Sequence, residues 1–76
     1  MQNKQEFLEK VRQVATEHPE LLDEKLDLAD QLRRDAAYNA NRLDKKGFTT
    51  IAKGQLEHAM DMNDAYEVLK SVKAGR

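Results

Sequence analysis

Apolar residues recur at three- and four-residue steps along nearly the whole chain, in three runs separated by two breaks. In the first run Phe7, Leu8, Val11, Val14 and Ala15 share one face of a helix. Asn3 followed by Glu6 has the spacing of a capping box, which ties down the free amides at a helix start. Pro19 ends the run, because the residue before a proline is pushed out of the helical region. The pattern predicts a first helix over about residues 4–17.

Pro19 suits the first position of the next helix, and Glu20, Asp23 and Glu24 complement the positive end of its dipole. Leu22, Leu26, Ala29, Leu32, Ala36, Ala40 and Leu43 then advance in an unbroken stripe. A helix over about residues 19–45 accommodates it, one straight helix of about 26 residues or about 39 Å. Arg42, Lys45 and Lys46 close this helix with favourable charge, and Gly47 supplies a left-handed cap. Thr49 or Thr50 can cap a third helix over about residues 50–73. Its stripe is Ile51, Ala52, Leu56, Ala59, Met62, Tyr66, Leu69 and Val72. Gly54 and Asp61-Met62-Asn63-Asp64 are weak points, so a kink or break near Asn63 is open.

The fold class expected is therefore all-α: a single helical domain over residues 1–76, with a short first helix and a long antiparallel hairpin. Facing positions of the hairpin should have numbers adding to about 94 or 95. Leu43 then meets Ile51 or Ala52, Ala36 meets Ala59, and Ala29 meets Tyr66, large against small. Leu21, Leu28, Met60 and Val68 fall off the main stripes. Apolar residues on both flanks of a two-helix unit point to a partner, and they are the candidate interface of a homo-oligomeric bundle.

Size sharpens that expectation. A chain of 76 residues hides only about 60% of the surface its unfolded form exposes, and small domains usually need a further source of stability. With no cysteine, disulfides and thiolate zinc sites are excluded, which leaves self-association. The net charge of −1 gives no field to draw in nucleic acid or an anionic membrane. No apolar run approaches the ~20 residues that span a bilayer. The first residues lack the apolar block of a signal peptide, so a cytoplasmic location is the expectation.

Candidate chemistry is sparse. His18 and His58 lack the Glu three residues earlier that a di-iron bundle uses; Ala15 and Gln55 stand there. Ser71 has no paired base, and Asp23, Glu24, Asp27 and Asp30 read as a solvated helix face or as a docking strip for a basic partner. No metal or cofactor is expected, and no catalysis. The turn is the one place suited to an anion. Arg42, Lys45, Lys46 and Lys53 converge there with Thr49, Thr50 and the free amides of a helix start. A plainer reading is that the lysines only complement the helix dipole. Asn39 and Asn63 lie near the stripes, where an amide either fixes register or sits at the edge in water. Tyr38 and Tyr66 suit packing more than base stacking.

Arg34-Asp35-Ala36-Ala37 on the second helix and Leu56-Glu57-His58-Ala59-Met60 on the third resemble the helical hairpin of phage anti-CBASS sponges. Asn63-Asp64-Ala65 looks like that family's later Ala/Asn-rich helix. The resemblance covers about 35 residues and implies a small oligomeric bundle that sequesters cyclic oligonucleotide signals. The connection between the matched segments is shorter here, and no N-terminal aromatic motif matches the family's ligand-binding tyrosine. Two functional expectations follow. One is a non-enzymatic inhibitor, adaptor or phage-type regulator acting by protein binding. The other is a sponge holding an anionic nucleotide near the basic turn.

Overall fold

The computed structural model describes residues 3–75 and is all-α. Helix α1 spans Lys4–Glu17, a short 3-10 turn spans Pro19–Leu21, α2 spans Leu22–Lys45 and α3 spans Thr49–Ala74. Asn3 caps the start of α1, with the return contact of Glu6 made to the Asn3 side chain. Asn3 accepts a hydrogen bond from the Glu6 amide at 2.8 Å, and its own side-chain amide donates to the Glu6 carboxylate at 3.4 Å.

Helix α2 starts three residues later than the pattern of the sequence suggests. Pro19 does open a helical turn, but a tight one, closed by the Leu21 amide on the His18 carbonyl at 3.0 Å. At the other end Gly47 adopts φ 90°, the left-handed conformation expected of it. The Phe48 amide donates to the Leu43 carbonyl at 2.9 Å and the Gly47 amide to Asp44 at 3.0 Å. This pair of bonds satisfies carbonyls that α2 would otherwise leave open. No threonine caps α3: Phe48 occupies the cap position and offers no side-chain hydrogen bond, so Thr49 and Thr50 are its first helical residues. Nor does α3 break at Asn63; it continues as one helix across Gly54 and Asn63.

Helices α2 and α3 form the antiparallel hairpin. Arg33 donates to Asn63 at 2.7 Å and Lys73 to Asp23 at 2.6 Å, two links at one common register along the hairpin. That register lies roughly one or two positions from the expected one, within the spacing of neighbouring side chains on a helix face. Ala36, Ala40, Ala52 and Ala59 are buried along the hairpin, as its small-residue stripe requires.

Helix α1 lies along α3 in the same direction. Lys4 pairs with Asp61 and Asp64, while Ala15 joins Leu22, Leu26, Ala29 and Leu69 in the core, with Val11, Tyr66 and Val72 packed against it. At 14 residues α1 reaches along only part of the 24-residue α2. The core is thin in consequence. Leu22, Leu26 and Leu69 are its only large buried side chains among the described residues, and the others are alanines. A buried leucine contributes about 1.5–3 kcal/mol, and an alanine methyl far less. Leu32, Ile51 and Leu56, expected in the stripes, are exposed, and Val14 stands at the same margin. One dimension of the molecule is only 14 Å, so the helices make an open ribbon rather than a closed bundle.

Candidate functional site

Because α1 sits on α3 and leans away from α2, a cleft of about 300 Å³ opens between α1 and α2. Its walls are Phe7, Val11 and Val14 from α1 and Leu28 and Leu32 from α2; Met62, Ala65 and Leu69 of α3 form its floor. These side chains meet because 3.6-residue periodicity puts Phe7, Val11 and Val14 on one face, and Leu28 and Leu32 on another. Leu28 keeps 49% of its surface exposed, the most open of the wall residues. The charged groups lining the cleft are Lys10 and Lys25, one on each wall. Among the described residues neither is paired with a carboxylate.

Of the four interface candidates, Leu28 belongs to this cleft and Met60 to a different surface, where it is 55% exposed. Leu21 and Val68 are half-buried and line neither. The other wall and floor residues, Phe7, Val11, Val14, Leu32, Met62, Ala65 and Leu69, were not in the expected interface. The signal for the first three was present, since α1 carries more apolar residues than one contact with α3 consumes.

The six anion-site candidates are all exposed but are not gathered around one point. Arg42 and Lys46 line a shallow depression with Asn39, Leu43 and Gln55. Thr49 and Lys53 line another, on the α2–α3 face that holds Asn41, Asp44 and Leu56. Lys45 and Thr50 belong to neither. The Asp44 carboxylate beside Thr49 and Lys53 opposes an anion there, and the Arg42 guanidinium lies 5.7 Å from the centre of the Tyr38 ring.

The polar centre of the molecule is Arg33, which sequence reasoning passed over. It lies 4.1 Å above the Tyr66 ring, donates to Asp30 at 2.8 Å and bridges to Asn63. With the Arg33 hydrogen bond as the largest cause and Arg34 adding its charge, the Asp30 carboxyl is held below the usual range. Lys4 is raised above the ordinary lysine value, first by its bond to Asp64 and then by the charges of Asp64 and Asp61. The Glu20 carboxyl is lowered by its own backbone amide and by His18, whose Nδ1 lies 3.3 Å away. Asn39 and Asn63 are both exposed at the edges of their helices, and Asn63 accepts a hydrogen bond from Arg33 at 2.7 Å.

Among the described residues no His, Cys, Asp or Glu cluster could hold a metal ion, and no helix is long and apolar enough to cross a membrane. No protein-family model, curated protein or solved structure matches the chain.

Proposed function

We propose that this protein is a non-enzymatic binding module, an inhibitor, adaptor or phage-type regulator, that takes an amphipathic helix of another protein into the cleft between α1 and α2. The observation that carries this reading is the cleft itself: two apolar walls and an apolar floor, left open by a helix that packs mainly on α3 and meets α2 only near Ala15. An apolar groove between helices is the usual seat for the apolar face of a partner helix. Lys10 and Lys25 on opposite walls select a helix with carboxylates on both flanks, since charge at the rim of an interface governs partner choice and association rate. A cyclic oligonucleotide has less support, because the residues suited to an anion divide between two surfaces.

The test uses two synthetic amphipathic peptides with the same leucine stripe, one flanked by glutamates and one by lysines. The glutamate peptide binds the intact protein, and the lysine peptide binds at least about tenfold more weakly. Leu28→Asp abolishes binding and leaves helix content unchanged, because Leu28 is half exposed in the free protein. Equal affinity for the two peptides, or no binding of the glutamate peptide, overturns the proposal. A thermal shift with cyclic dinucleotides or trinucleotides would favour the sponge instead.

A further inference from the structure

A second apolar surface lies on the other side of the hairpin. On α2, Leu32 faces the cleft while Arg34, two residues and about 200° further round, faces away from it. Two shallow depressions run into each other there, sharing Ala37. Leu56 and Met60 of α3 stand up from this face, 50% and 55% exposed, beside the low ground of Ala37 and Ala40 on α2.

The charges at its corners alternate. Near the middle of the hairpin Arg34 of α2 sits across from Asp64 of α3. Near the turn the order reverses, with Asp44 on α2 and Lys53 on α3. Such a face complements itself. A two-fold axis lying in it, parallel to the helices, sets α3 of one copy over α2 of the other at the same height. Leu56 then falls on Ala40 of the second copy, Met60 on Ala37, Lys53 on Asp44, and Asp64 on Arg34. Large residues meet small ones and each corner charge meets its opposite. Each helix of the resulting four-helix layer also has antiparallel neighbours, the arrangement that suits their dipoles. A two-fold axis perpendicular to the helices keeps the charges matched but sets Leu56 and Met60 of one α3 against the other α3. Knobs would then meet knobs, so the parallel axis is the one the surface fits.

We infer that this α2–α3 face is a homodimer interface, occupied by the same face of a second copy. It is independent of the cleft, with which it shares no lining residue. The isologous geometry makes each charge pair occur twice, so a single reversal is felt twice.

Light scattering and sedimentation of the full chain test it. The wild type has twice the chain mass of 8.7 kDa. Leu56→Asp is monomeric with unchanged helix content. Lys53→Glu weakens the dimer by about tenfold or more, and adding Asp44→Lys restores it to within about threefold. Leu28→Asp leaves the dimer intact, which separates this interface from the cleft. A wild type that stays monomeric, a larger assembly, a dimer indifferent to Leu56→Asp, one lost with Leu28→Asp, or a charge exchange that fails to restore association overturns the assignment.

Discussion

Arg33 reaches three groups on two helices, and no apolar-pattern reading finds it because the search counts only hydrophobic side chains. Its methylenes pack as an apolar residue would while the guanidinium stays bonded. It lies four residues beyond Ala29, so it occupies the same face of α2 and meets Tyr66 of α3. Arg33→Ala should therefore destabilise the fold by about 1–2 kcal/mol in urea unfolding. Arg34→Ala, with a more exposed side chain, should change it by less than about 0.5 kcal/mol when both are measured in the Leu56→Asp background, where Arg34 faces no second copy. The Asp30 carboxyl gives a pH signature of the same cluster. Its folded value lies below its unfolded value, so its contribution is complete above about pH 4 and is lost as pH falls through the folded value. Lys4 behaves oppositely: its contribution is complete below its unfolded value and disappears as pH rises through the raised folded one, beyond about pH 10.4. A carbon-detected NMR titration should place the Asp30 midpoint below that of an unperturbed aspartate, and Arg33→Ala should raise it.

At the scale of the elements, the turn was legible because its signal is stereochemical. A glycine after a basic helix end is needed where φ is positive, and Gly47 has φ 90°. A Cβ added there would meet nothing within 4 Å, so the cost of Gly47→Ala is backbone strain alone. We expect a loss of about 1–2 kcal/mol by thermal unfolding, with Gly47→Asn intermediate because asparagine tolerates this conformation. The cap of α3 was not legible in the same way. Hydroxyl residues mark helix starts only when they fall one position before the first turn, and here Phe48 falls there. The stripes were legible in position but not in burial. Ala36, Ala40, Ala52 and Ala59 are buried because the hairpin contact is narrow, whereas Leu32, Ile51 and Leu56 lie at its margins. Spacing alone does not say how wide a contact is.

For the whole molecule the decisive fact is which helix α1 chooses. Apolar periodicity gave α1 a face to bury but no partner for it; α3 takes it through Lys4, Asp61 and Asp64 at one end and Ala15 and Leu69 at the other. That choice leaves Phe7, Val11, Val14, Leu28 and Leu32 around an open cleft. A thin alanine core follows, and an occupant of the cleft should raise the unfolding midpoint: a ligand at 100 times its dissociation constant adds about 2.7 kcal/mol. The most direct measurement is amide chemical-shift mapping of the full chain titrated with the glutamate-flanked peptide. The largest changes should fall on Phe7, Lys10, Val14, Leu28, Leu32 and Met62. Changes concentrated on Lys45 to Lys53, or on Leu56 and Met60, would contradict it.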